Sequence, residues 1–242
     1  MSSPKNSIGT LSESSLHRTL KYYYTGPEGM TEVGIGGYVA DGVNPSGELI
    51  EVQTGSFSAI KNKVKDFACQ GMVKIIHPVA LSKYIEVYEP KPAKKGKKTV
   101  KGELLYRRKS PVKGTYWDLF DALMHAPELA SYPNVEIEVV LADVTEIRIR
   151  DGKGSWRRKG VSIFDRELDK WYDSISLEKK NDYLRFIPFK KKETFTVRDL
   201  AKKVGISEAA ARKTLYVLTK INLTERVGKK GNFYVYKIAF SK

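Results

Sequence analysis

Between Gly47 and Val79 the chain reads strand, amphipathic helix, strand, and that order leaves few folds open. "GELIEVQTG" has the composition of a strand bounded by glycines. "SFSAIKNKVKDFACQG" puts Phe57, Ile60, Val64, Phe67 and Ala68 on one helical stripe, with Gly71 as its stop. "MVKIIHPV" is a near-continuous apolar run, as in a strand buried on both faces. A helix crossing between two strands predicts a parallel pair, since antiparallel neighbours need only a short turn. The expected class is α/β.

The flanking sequence extends this frame. Ser12 is a good N-cap for the helix "ESSLHRTLKYYYTG", whose Leu16, Leu20 and Tyr23 share a face and whose stop is Gly26. "TEVGIGGYVADGV" is β-rich and reaches the next strand through the turn sequence "NPSG". Its "GIGG" has a trace of a phosphate-binding loop, but no helix opens there, which favours a tight strand pair. Downstream, "KYIEVYE" alternates like a separate, more exposed strand. "PKPAKKGKKTVKG" reads as a flexible hairpin tip or loop and "ELLYRRKSPVKG" as the returning strand. "TYWDLFDALMHAPEL" is an amphipathic helix with Trp117, Phe120 and Leu123 inward, and "NVEIEVVLADVTEIRIRDG" is two strands or one long bent one. "SIFDRELDKWYDSISLEKKNDYLRFIPF" is expected to be helical and connective.

Charge is concentrated rather than spread. Of the formal +15, residues 185–242 carry about +11 and residues 91–113 about +9, leaving the rest mildly acidic. Two dense basic regions suggest a polyanionic partner, because Lys and Arg release counterions from phosphates. A solvated lysine-rich surface is the plain alternative. No run of about 18 apolar residues offers a membrane span. A polar start without an apolar signal core, and a single cysteine, Cys69, point to a reducing, cytoplasmic setting. Cys69 itself is expected to be a buried helix residue, and His17, His77 and His125 lack metal-ligand spacing and are expected to be structural or surface residues.

The last segment has clear local architecture. Thr196 with Asp199 three residues on opens a helix that Gly205 closes. Ser207 caps a second helix in which Ala210, Leu215 and Leu218 can pack inward, and Asn222 can end it. "LTERVGKKGNFYVYKIAF" then reads as a hairpin tipped by "GKKGN". This order resembles a winged helix-turn-helix over about residues 186–242. The resemblance implies a recognition helix with Glu208, Arg212, Lys213 and Tyr216 outward, and Lys229 and Lys230 meeting backbone phosphates. Winged helices also dock proteins, and the local charge favours DNA.

Asp41 near the end of one strand and Glu51 on the next would converge, and hard oxygen ligands suit Mg²⁺. Strand alternation gives Glu51 and Gln53 one face and turns Ile50 and Val52 to a core. Each acid also has a plain reading: Asp41–Gly42 as turn chemistry, Glu51 as a solvent-facing strand residue. With the surrounding element order, however, the chain resembles the PD-(D/E)XK nuclease superfamily, whose signature is an Asp followed by Glu-x-Lys on the next strand. Here these are Asp41, Glu51 and, at the lysine position, Gln53. The resemblance implies a restriction-endonuclease-like mixed sheet flanked by helices, and catalysis with Mg²⁺ (or Mn²⁺). It also implies an added acid from the first helix, for which Glu13 is in place, with Glu32 a weaker candidate. Gln53 can only hydrogen-bond where lysine would bring charge. A lysine can come instead from the following helix, where Lys61 and Lys63 flank the apolar stripe at comparable angles, Lys63 being slightly preferred.

In "YRRKSPVKG", Arg107 and Lys109 would share one strand face and Arg108 the other, able to clamp phosphates or simply to protect an edge strand. "SWRRKG" sets an aromatic beside cations, a weak sign of strand stacking. The whole is read as a nuclease-like domain over residues 1–185 and a winged helix over 186–242. The expected function is metal-dependent cleavage of duplex or branched DNA, in repair, recombination or defence. The alternative is a catalytically inactive nuclease-fold DNA-binding or regulatory protein, and RNA as ligand and a homodimer are left open.

Overall fold

The structure, a computed structural model, describes residues 13–91 and 100–239. Ser12 and the lysine-dense stretch 92–99 lie outside the described residues. The chain opens with α1 (Ser15–Thr25), β1 (Met30–Ile35), β2 (Tyr38–Val43), β3 (Leu49–Val52), α2 (Lys61–Ala68) and β4 (Val73–Lys91). β5 (Val100–Lys109), α3 (Leu119–Leu123), β6 (Val135–Ile149) and β7 (Ser162–Leu177) follow. The C-terminal module is β8 (Phe195–Thr196), α4 (Val197–Val204), α5 (Glu208–Lys220), β9 (Thr224–Lys230) and β10 (Phe233–Ile238). The protein is thus mixed α/β, with a large mixed sheet and helices flanking it.

The sheet has seven strands in the order β1-β2-β3-β4-β6-β7, with β5 pairing on β4. β1, β2 and β3 are successive antiparallel neighbours, and β3 runs parallel to β4, as the crossing helix α2 requires. Gly36 and Gly37 both adopt positive φ, which a two-residue hairpin turn between β1 and β2 demands. Gly42, by contrast, lies within β2. A Cβ there would collide with the Thr25 side chain, so glycine is what lets α1 close on the strand.

Contacts divide the chain into two compact units. One gathers the described parts of Met1–Leu20, Ala80–Lys113 and Ala142–Tyr172. The other gathers Lys21–Val79, Gly114–Leu141 and Asp173–Lys242, so the C-terminal module belongs to the unit that holds β2, β3 and α2. In this second unit Leu49, Ile75, Ile137, Phe67, Phe120 and Leu215 join one continuous core. Alternation places Leu49 and Glu51 on the face of β3 that α2 covers, with Ile50 and Val52 opposite; all four are buried.

Three expectations are corrected. Residues expected to be helical form β7, a 16-residue strand, and the following 3₁₀ turns over Lys180–Phe186 supply the only helical part. Its apolar residues lie close to helical spacing, but pairing with β6 satisfies its backbone, and that non-local partner is invisible to a local pattern. "MVKIIHPV" and "KYIEVYE" are one 19-residue strand, since Pro78 and Leu81–Lys83 do not interrupt it. Cys69 is exposed, because it caps α2 at the point where the helix leaves the core.

In the C-terminal module the caps match the sequence. Thr196 and Asp199 form a reciprocal capping box, Gly205 closes α4 at φ 72°, and Ser207 Oγ accepts the Ala210 N–H. Asn222, at φ 55°, turns the chain out of α5 into β9. A three-stranded antiparallel sheet, β8-β10-β9, completes it.

Candidate active site

Asp41 and Glu51 stand on neighbouring antiparallel strands, where Gly42 pairs with Ile50. The acids brace those strands: the Val52 N–H donates to Asp41 Oδ2 at 2.8 Å, and the Asp41 N–H to Glu51 Oε1 at 3.3 Å. Glu51 is only 2% exposed, so it is not a solvent-facing strand residue, and Asp41–Gly42 is strand, not turn. Burial first, then the adjacent Asp41 charge, push the Glu51 carboxyl up to about 7, against the pull of Lys63.

Lys63 Nζ lies 2.7 Å from Glu51 Oε1, brought there by the first turns of α2. Its neighbour Lys61 turns instead to Glu128, an acid that Lys65 also reaches at 3.1 Å. Although burial opposes it, these two cations hold the Glu128 carboxyl down at about 2. Two lysines that sequence spacing leaves equivalent therefore have different partners.

Gln53 follows the end of β3. Its Nε2 donates to the Ser56 carbonyl at 2.9 Å, so the amide ties the strand to the turn before α2. The Gln53 N–H donates to the Ile76 carbonyl, and its own carbonyl lies 2.7 Å from His77 Nδ1. A carbonyl can only accept, so Nδ1 carries the proton and Nε2 is left as the acceptor. His77 is buried in a T-shaped contact with Phe57, and desolvation lowers its pKa, keeping it neutral. It contacts the site strand, a role that nothing local in the sequence signals. It also lines a cleft of about 290 Å³ with Ser56, Asp118 and Asp121.

Glu13 lies in the other unit, 3.4 Å from His17 Nε2, and Glu32 accepts from Lys21 at 2.6 Å. In that other unit Arg107, Arg108 and Lys109 are exposed on β5, opposite Glu86, Ile85 and Tyr84 of β4. Arg107 sits 4.3 Å above the Tyr84 ring and Lys109 5.6 Å from it, so these two share a face. In the C-terminal module Arg212 pairs with Glu208 at 3.2 Å, and Lys213 with Asp121. Lys229 and Lys230 are exposed on β9, just before the Gly231–Asn232 turn.

Each unit also holds buried acids with partners of their own. Glu138 accepts from Tyr24 at 2.6 Å and Ser174 at 2.7 Å, Glu136 from Ser176 at 2.5 Å, and Lys74 lies 2.9 Å from Glu136. Glu146, buried, is gripped by Arg148 and Arg166. These networks serve packing.

The Asp41–Glu51 pair fits a hard dication. It offers oxygen donors from two adjacent strands, and their mutual repulsion is what an added positive charge relieves. Among the described residues no group of three or more His, Cys, Asp or Glu is gathered, and Mg²⁺ typically takes only one or two carboxylates.

A family model described as a domain of unknown function, DUF8091, matches residues 14–178. The chain belongs to the DUF8091 family. The DUF8091 match contains Asp41, Glu51, Gln53, Lys61 and Lys63 of α2 and the β5 cations, and it ends before the C-terminal module. An uncharacterized protein of Treponema pallidum (strain Nichols) is 26% identical over 231 residues, 95% of this chain and 87% of that protein. That likeness runs beyond the DUF8091 domain into the C-terminal module. No solved structure matches the chain.

Proposed function

We propose that this protein is a metal-dependent DNA endonuclease of restriction-endonuclease-like fold, acting in the cytoplasm, with a C-terminal winged helix that binds DNA. The observation that carries the proposal is the meeting of Asp41, Glu51 and Lys63 on β2, β3 and α2. The helix–strand–strand–strand–helix–strand order around them is the one the PD-(D/E)XK resemblance implies.

Asp41 and Glu51 would hold Mg²⁺ (or Mn²⁺), which when bound polarises a phosphoryl oxygen and acidifies a water. Lys63 has two tasks: it offsets part of the cost of ionising Glu51, and its remaining N–H groups orient the attacking water toward phosphorus. Gln53 holds the end of β3 against the turn at Ser56 and so fixes the reach of Glu51. The cations of β5 and of the C-terminal module would hold the phosphate backbone.

A second reading, a nuclease-fold DNA-binding protein without activity, draws on Gln53, whose amide donates to Ser56 rather than toward the acids. One experiment separates the two. Plasmid, linear and branched DNA are incubated with the protein and Mg²⁺ or Mn²⁺. We expect cutting to fall at least 100-fold in Asp41→Ala, Glu51→Ala and Lys63→Ala, an effect on the scale of one lost charge-stabilising group. Lys61→Ala should cut normally. Wild type that shifts every DNA in a gel and cuts none would establish the second reading; cutting that survives in all three variants would move the site elsewhere.

A further inference from the structure

A cleft of about 360 Å³ opens between α5 and the β9–β10 hairpin, all within the second unit. Arg212 and Tyr216 line it from the helix; Arg226, Phe233, Tyr234 and Tyr236 line it from the hairpin. The sequence builds it directly. "YVY" sets Tyr234 and Tyr236 on one face of β10, and Arg226 pairs with Tyr236 across the ladder. The Arg226 guanidinium lies 4.3 Å over the Tyr234 ring and 5.9 Å from that of Tyr236. Among the described residues it has no carboxylate partner. Among the described residues Arg212 makes an ion pair with Glu208 alone, at the surface, which leaves its head available.

Aromatic side chains on a protein surface normally give up part of their area to the core. Here Tyr216 is 41% and Tyr234 42% exposed, on either side of one concavity, with two arginines between and beside them. Flat π faces set next to guanidinium groups match a flat base with its flanking phosphate. A paired base in duplex DNA offers no free face, since both are covered by stacking. The volume lies within the roughly 300–1,000 Å³ common to small-ligand sites, ample for a single base.

We propose that this cleft takes one unpaired nucleobase of a DNA strand, stacked on Tyr216 and on the face of Tyr234 that Arg226 does not cover, with Arg226 and Arg212 on the adjoining phosphates. The preferred substrate is then DNA with a single-stranded overhang, flap or junction, in place of closed duplex. The proposal rests on the chain's being a DNA-binding protein and not on its cutting DNA.

The test uses the full chain in EDTA, so that cleavage plays no part. Two DNAs are compared: a duplex with a short overhang carrying 2-aminopurine, and the same duplex made blunt. Binding should quench the unpaired 2-aminopurine. Tyr216→Leu and Tyr234→Leu should each weaken overhang binding roughly tenfold, as loss of one stacked base implies, and Tyr234→Leu should alter blunt-duplex binding less than twofold. Tyr216→Phe and Tyr234→Phe keep the ring and should behave as wild type. Equal losses on both DNAs in Tyr234→Leu, absence of quenching, or phenylalanine variants as weak as leucine ones would overturn the proposal. Binding of neither DNA sinks it together with the DNA-binding reading. Quenching without any later cutting in Mg²⁺ sinks the nuclease alone and leaves the cleft as argued.

Discussion

Glu51 carries a charge that its surroundings resist. A carboxyl raised from 4.5 to about 7 holds its proton more tightly in the folded protein than in the unfolded chain. The stability this contributes is complete below the unfolded value and is lost as pH rises to about 7. Unscreened, a shift of that size corresponds to something on the order of 3 kcal/mol. We therefore expect the melting temperature of the metal-free protein to fall between pH 5 and pH 8, and to fall less in Glu51→Gln, which has no proton to lose. Added Mg²⁺ should recover the loss at pH 8 in wild type and leave Glu51→Gln unmoved. Parallel pH profiles for the two proteins would mean that Glu51 is not the group responsible. Asp41 and Glu51 were legible as a pair from element order and alternation, and that suffices to bring them to neighbouring strands. The choice between Lys61 and Lys63 was not, because it turns on where Glu128 lies, and that acid is more than sixty residues away in the chain. Gln53 was legible as a departure from lysine, but its bond to Ser56 depends on the geometry of the turn before α2, which no local pattern gives.

At the scale of elements, short-range signals succeeded where the partner is near in sequence. The β3–α2–β4 crossing, the Gly36–Gly37 turn and the Thr196–Asp199 box all close within one or two turns of chain or across one helix. β7 failed for the opposite reason: its strand state is set by β6, and its own residues read as an amphipathic helix. Side chains confirm the pairing, as Thr145 donates to Asp169 at 2.7 Å and Ser176 to Glu136 at 2.5 Å. The placement of α2 over the sheet depends on a comparable long-range tie, Lys61 and Lys65 on Glu128 in the turn after α3. With its carboxyl held down at about 2, Glu128 contributes stability above the unfolded value of about 4.5 and loses it as pH falls through 2. The site is partly solvated, so Glu128→Gln should cost about 1 kcal/mol or less at pH 7, and progressively less in acid. Urea unfolding of both proteins at pH 7 and pH 3 checks this; a penalty that grows in acid would show that the ion pairs are not its source.

For the molecule as a whole, what matters is that the charge sits in two stretches of chain. Residues 185–242 and 91–113 hold more positive charge than the protein's entire net +15, so the remainder is net acidic. Each Lys or Arg on a phosphate releases counterions, and log K falls with log salt by about 0.9 per contact. Among the described residues Lys229 and Lys230 make no close ion pair, whereas Arg107 shares Glu86 at 3.4 Å. Replacing Lys229 and Lys230 together by alanine should therefore lower the salt slope of duplex binding by about 2, with equal effect on unrelated sequences. Arg107→Ala with Lys109→Ala should lower it by less, because the Glu86 pair competes for one of the two cations. If both stretches engage the same DNA, combining the four substitutions should sum the two reductions. An unchanged slope after the Lys229 and Lys230 replacements would assign the C-terminal module to protein docking, and the affinity for DNA would then belong to the unit that carries β5.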